Sequence, residues 1–151
     1  MNKLLAAICQ VGLVGVMVGM GPISMCSDGQ IVIQVVDGRN GKPIPREHVL
    51  VFQGATAEDI RALNSHADLQ TDANGVALLT IEDPSISLIL VSVDWHIVCE
   101  EKPNTKTYSI EEIKRTGLST QNKCGLLVRK NEPDHFVVFA RPAHFWEKMR
   151  Y

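Results

Sequence analysis

Short apolar runs rich in β-branched residues recur along the chain from residue 30 onward, separated by turns of Gly, Pro, Asn and Asp. The clearest runs are QIVIQVV, HVLVF, VALLTI, ISLILVSV and HFVVFA, at residues 30–36, 48–52, 76–81, 86–93 and 135–140. A further run, WHIVC at 95–99, continues the set past a bend. Runs of this length and composition are typical of strands. Since no long helical pattern alternates with them, we predict an all-β sandwich of about seven strands.

Capping patterns predict one or two short helices between these strands. Thr56 and Asp59 have capping-box spacing and predict a short helix within a long connection at 54–69. Ser109 and Glu112 have the same spacing and predict a second helix, which Gly117 should end.

Alternation within the strands predicts which side chains form the core. Because a shift of one residue exchanges the two faces of a strand, the opposite faces are the alternative wherever the register differs. The predicted core residues are Ile31, Ile33, Val35, Val49, Val51, Val76, Leu78, Leu88, Leu90, Phe136 and Val138.

The first 26 residues differ in composition from the rest of the chain. They hold four of the five Met, four of the 11 Gly and two of the four Cys, with Lys3 as their single charge. A positive start, an apolar run and small residues near the end predict a signal peptide at 1–26, followed by one domain at 27–151. An uncleaved membrane anchor is the alternative, and Cys26 lies in a partial lipobox where it would be acylated. Either reading predicts a secreted, periplasmic or membrane-anchored protein.

Composition and charge limit the classes of partner that we expect the protein to bind. The chain is 45% apolar and 21% charged, with a formal net charge of −2. This high apolar content and low net charge exclude a disordered chain. A mildly acidic protein has no bulk electrostatic attraction to nucleic acid or to anionic lipid. We therefore expect no nucleic-acid partner, and membrane contact only through an uncleaved leader.

The predicted domain keeps two cysteines, Cys99 and Cys124. In an oxidising compartment, two cysteines most simply form one structural disulfide. They have neither the Cys-x-x-Cys spacing of a redox pair nor the spacing of a zinc knuckle. The sequence predicts no metal site and no cofactor.

Several motifs in the first half of the domain resemble one family. VVD at 35–37, GKPIP at 41–45, VLV at 49–51 and TDANGVA at 71–77 look like the carboxypeptidase regulatory-like domain of exported bacterial proteins. The resemblance covers about residues 30–93 and is weak after them. It implies a prealbumin-like or Ig-like sandwich of seven strands that serves as an accessory module, usually without catalysis.

Aromatic and arginine side chains in the second half are the candidate ligand contacts. They are Trp95, Arg141, Trp146 and Tyr151, whose residue types are enriched in binding hot spots. Tryptophan and tyrosine rings also stack on sugars, although Trp146 could instead cover an open end of the core. The five histidines have no metal-motif spacing, and no catalytic-serine or phosphate-loop motif is present.

The sequence thus predicts an exported, non-catalytic β-sandwich that binds a protein or a glycan, or has a structural role, at the bacterial cell envelope. One alternative is a carbohydrate-binding module that uses the aromatic side chains near the C-terminus. Another is an unrecognised periplasmic hydrolase or metal-binding protein, which would require His, Asp and Arg side chains to converge in one pocket.

Overall fold

A computed structural model of the chain describes residues 29–63, 65–144 and 147. The predicted signal peptide lies outside these residues. No helix in the described ranges is long and apolar enough to cross a membrane. Within them, nine strands and two short helices follow in the order β1 (Gln30–Asp37), β2 (His48–Gly54), α1 (Ala57–Arg61), β3 (His66–Gln70), β4 (Val76–Thr80), β5 (Leu88–Val93), β6 (His96–Val98), β7 (Tyr108–Ser109), α2 (Ile110–Thr116), β8 (Leu118–Ser119) and β9 (His135–Pro142).

The strands form two sheets, which confirms the predicted all-β sandwich. The first sheet has the order β4-β1-β9-β6, and β8 pairs with β9 as well. The second sheet has the order β3-β2-β5-β7. In the first sheet, β1 and β9 run parallel and align Ile33 with Phe136, so strands from the two ends of the domain lie side by side at its centre.

The core lies between the two sheets. Seven predicted core residues are fully or almost fully buried there: Ile31, Ile33, Val35, Val49, Val51, Phe136 and Val138. Their burial follows the two-residue period of β1, β2 and β9, where one face of each strand is turned to the opposite sheet.

The predicted register was wrong in β4. Leu78 is 52% exposed, whereas Ala77 and Leu79 are buried. Val76 is only partly buried, at the start of this strand. Because the run VALLTI carries apolar residues at both parities, its alternation cannot tell the inner face from the outer one.

In β5 the predicted face was wrong for the same physical reason, although Leu90 is buried as predicted. Ile89 and Val91 belong to the core between the sheets, while Leu88 is only partly buried. Leu90 is buried but is not part of that core, since successive side chains of a strand point to opposite faces.

The two predicted helices are present. The Thr56 side chain accepts a hydrogen bond from the Asp59 backbone N–H, and the Asp59 carboxylate accepts one from the Thr56 backbone, which completes the capping box of α1. The Ser109 side chain accepts from the Glu112 backbone at the start of α2, and Gly117 caps its end. The connection after α1 also contains β3, an edge strand that the sequence analysis missed.

A second, smaller apolar cluster covers the outer face of the first sheet. Val36, Val137 and Phe139 pack there with Cys99 and Cys124. The two cysteine sulfurs are bonded at 2.01 Å, in agreement with the predicted disulfide. The bond holds the loop before β9 against the sheet that contains β6.

Candidate functional site

The most exposed aromatic ring in the described part of the chain lies where the chain passes from one sheet to the other. Asp94 and Trp95 form the turn between β5 and β6. Trp95 has a φ of 59°, in the left-handed region that bulky residues rarely adopt, and it is 66% exposed. Its carbonyl oxygen accepts a hydrogen bond from the Ala143 backbone at 2.9 Å, which fastens the turn to the segment that follows β9.

A cleft of about 360 Å³ opens beside Trp95. Its apolar wall comes from Leu50, Val93 and Ile97, and its polar groups from Ser92, Asp94, His96, Asn104 and Glu147. Asn104 has a buried side-chain oxygen that finds no hydrogen-bond partner among the described residues. An unpaired buried acceptor is costly, so a ligand hydroxyl or amide that reached this oxygen would be bound favourably. We call this space the Trp95 cleft.

A second cleft of about 450 Å³ adjoins the first, and Ile97 and Glu147 line both. Arg141, Lys123 and the Cys99–Cys124 disulfide complete its wall. Glu100 lines it too and accepts a hydrogen bond from the Tyr108 hydroxyl. Burial raises the pKa of the Glu100 carboxyl, although this hydrogen bond opposes the shift.

The boundary between the two clefts carries a two-pronged ion pair. The Arg141 guanidinium donates to both carboxylate oxygens of Glu147, at 2.9 and 2.7 Å. The His144 backbone N–H donates to the same carboxylate at 2.8 Å. These hydrogen bonds, above all the one from Arg141, lower the pKa of Glu147 to about 2. Both side chains are therefore charged and fixed at neutral pH.

Three of the histidines each contact a different oxygen acceptor. His48 lies 3.1 Å from the Asp68 carboxylate, and this hydrogen bond raises its pKa. The His96 ring lies 3.0 Å from the Asp94 carbonyl oxygen, and His135 contacts a backbone carbonyl as well. In the part of the chain that the structure describes, no group of three or more His, Cys, Asp or Glu residues could hold a metal ion.

The structure brings two of the predicted ligand contacts to adjoining clefts. Trp95 lines the first and Arg141 the second. Trp146 and Tyr151 lie outside the described residues. The sequence analysis missed Asn104 and Glu147, because nothing in their spacing from Trp95 or Arg141 marks them as neighbours in space.

The chain was compared with family models, with curated proteins and with solved structures, and nothing matched. No family is thereby shown for it, and the carboxypeptidase regulatory-like resemblance stays a prediction. What can be said of its function comes from the two clefts and their side chains.

Proposed function

We propose that this chain is an exported, non-catalytic β-sandwich module of the cell envelope, of the prealbumin-like type, that binds a neutral glycan in the Trp95 cleft. The observation that carries the proposal is the position of the indole. Trp95 is held by a fixed turn at the mouth of a cleft and stays two-thirds exposed.

An exposed indole in a strained backbone conformation has a physical cost. Leaving a large apolar side chain in water forgoes about 1.5–3 kcal/mol of burial free energy. A non-glycine residue at positive φ adds roughly 1–3 kcal/mol of strain, and such strain is concentrated at functional sites. A ligand that covers the Trp95 ring would recover the burial free energy, which favours a binding role for this turn.

The chemistry of the cleft favours a sugar over other small ligands. A sugar ring presents an apolar C–H face, which stacks on an indole, and hydroxyl groups, which donate to oxygen acceptors. The cleft offers an apolar wall together with the polar residues Ser92, Asp94 and Asn104. Since the charge of Glu147 is already offset by Arg141, it is the Asp94 carboxylate that disfavours an anionic ligand, which points to a neutral glycan.

The ionisable groups near the clefts favour binding over catalysis. Arg141 is engaged with Glu147, Glu100 with the Tyr108 hydroxyl, and the His96 ring with the Asp94 carbonyl oxygen. A catalytic acid or base must exchange a proton with a substrate, whereas the Arg141–Glu147 pair holds its charges through hydrogen bonds within the protein. We assign this pair the role of a fixed wall between the two clefts.

A glycan array probed with the purified protein tests this function. We expect binding to at least one neutral oligosaccharide, with Trp95→Ala reducing affinity tenfold or more and Trp95→Phe retaining part of it. Leu63→Ala, which truncates an exposed leucine after α1, is the matched control and should bind like the wild type. Equal binding by Trp95→Ala and the wild type would exclude this cleft as the glycan site.

A further inference from the structure

The loop that carries Cys124 exposes apolar side chains to water. Leu126 is 100% exposed and Val128 is 91% exposed, while Leu127 between them is more than one-third exposed. Isolated exposed leucines are ordinary on protein surfaces, but consecutive ones in one short loop form a patch. We call residues 122–130 the Leu126 loop.

The protein fixes this loop in place. Cys124 is bonded to Cys99, and the Asn122 side-chain amide donates to the Gly38 and Leu127 carbonyls, at 2.8 and 3.0 Å. A side chain at Gly38 would lie 2.5 Å from the Asn122 side-chain oxygen, so this close approach requires glycine. The disulfide and the hydrogen bonds of Asn122 thus fix the loop in a position that leaves its apolar side chains exposed.

A second loop lies against the first. The Arg129 guanidinium donates to the Gly41 carbonyl at 3.2 Å, and the Leu127 side chain lies over the same glycine. Residues 37–42 therefore form one continuous surface with the Leu126 loop.

Charge is strongly segregated on this surface. Its two segments, 37–42 and 122–130, hold five of the chain's 15 basic residues and one of its 17 acidic residues. The single acid, Asp37, is paired with Arg39 at 2.9 Å. The basic residues are Arg39, Lys42, Lys123, Arg129 and Lys130. A net charge of −2 for the whole chain conceals this cluster.

We propose that the Leu126 loop binds the surface of an anionic phospholipid bilayer. Exposed apolar residues next to a cluster of lysine and arginine are the combination that membrane-surface segments use. Leu126 and Val128 would enter the boundary between headgroups and acyl chains. The cations of the two segments would lie at the level of the lipid phosphates.

The charge cluster is what favours lipid over a second copy of this chain. Two copies that met through this loop would bring like charges together, which disfavours association. An anionic bilayer instead supplies opposite charge and an apolar layer at the same place. This surface is separate from the Trp95 cleft, so either proposal can fail without the other.

Co-sedimentation of the full chain with vesicles tests the proposal. Vesicles of phosphatidylglycerol and phosphatidylcholine are compared with vesicles of phosphatidylcholine alone. We expect stronger binding to the anionic vesicles, a reduction of tenfold or more in Leu126→Asp/Val128→Asp, and a reduction of about fivefold per charge in Lys42→Gln and Lys130→Gln. Half-molar salt should remove the preference for anionic vesicles.

Matched variants separate this loop from the rest of the molecule, including residues 1–26, which every variant shares. Leu63→Asp alters an exposed leucine elsewhere, and Lys114→Gln/Arg115→Gln removes two cations from α2. Both should bind like the wild type. Equal binding of the Leu126→Asp/Val128→Asp variant and the wild type overturns the proposal. So does a dimer in sedimentation equilibrium that this variant abolishes, because the loop would then join two copies.

Discussion

Arg141 and Glu147 face each other across the boundary of two clefts, with both carboxylate oxygens bonded to the guanidinium at 2.9 and 2.7 Å. The sequence alone presents Arg141 as a ligand contact. In the structure its charge is neutralised by Glu147, six residues later, and the pair forms a wall. Trp95, which is two-thirds exposed, lines the cleft on the other side of that wall.

The ion pair predicts a specific dependence of stability on pH. Because the folded protein lowers the pKa of Glu147 from 4.5 to about 2, its stabilising contribution is complete above pH 4.5 and is lost as the pH falls toward 2. Glu147→Gln should therefore melt below the wild type at neutral pH, and the two melting temperatures should converge near pH 2. Thermal unfolding followed by circular dichroism measures this difference. The other carboxylates are the same in both proteins, so their contributions cancel. A difference that stays constant across the range would contradict the assignment.

Neighbouring leucines in β4 should respond very differently to truncation. Leu79→Ala removes a fully buried side chain and should cost about 2–5 kcal/mol of unfolding free energy. Leu78→Ala trims a half-exposed side chain and should cost less than about 1 kcal/mol. Urea unfolding of the two variants provides the comparison. Similar losses in both would mean that the register of β4 differs from the one described.

The disulfide should stabilise the fold through the loop that it closes. Cys99 and Cys124 are 25 positions apart, and closing a loop of this size stabilises a protein by about 3 kcal/mol in the chain-entropy model. Cys99→Ala/Cys124→Ala should lose approximately that amount in urea unfolding. Reduction of the wild type should bring it to the same stability. Two free thiols in the non-reduced protein, detected by mass spectrometry, would refute the pairing.

Gly75 combines a positive φ with a close backbone contact, whereas Gly29 has the positive φ alone. Both have positive φ, but a side chain at Gly75 would lie 2.6 Å from the Val35 carbonyl oxygen, whereas the nearest atom at Gly29 is 3.6 Å away. Gly75→Ala should therefore cost about 2–3 kcal/mol, and Gly29→Ala about 1 kcal/mol. Chemical denaturation of the two variants measures both values. Equal losses would show that backbone strain alone matters at Gly75.

The register could be predicted in β1 and could not in β4 and β5. In β1 two glutamines, Gln30 and Gln34, occupy positions of the opposite parity to the buried Ile31 and Ile33 and so indicate the outer face. In β4 and β5 both parities are apolar, so only the tertiary contacts decide the face. β3 was missed because its sequence, HADLQ, is half polar and belongs to an edge strand with no buried residue.

The site was harder to predict than the fold because its parts come from distant segments. Trp95 could be singled out from its residue type, and the disulfide from the oxidising compartment that the N-terminal segment predicts. Asn104 and Glu147 have no local signal, since their importance arises when the segments around β6 and β9 meet. The same holds for the pairing of β1 with β9, which joins residues about 100 positions apart.

The most direct test of the central claim is a titration of the labelled protein with its glycan, followed in the ¹H–¹⁵N spectrum. A neutral oligosaccharide from the array is the titrant. We predict that the Trp95 indole and the Asn104 side-chain amide shift together and saturate with a single dissociation constant. The Leu126 loop should remain unshifted. Shifts confined to residues outside the Trp95 cleft, with both of these signals unmoved, would contradict the account.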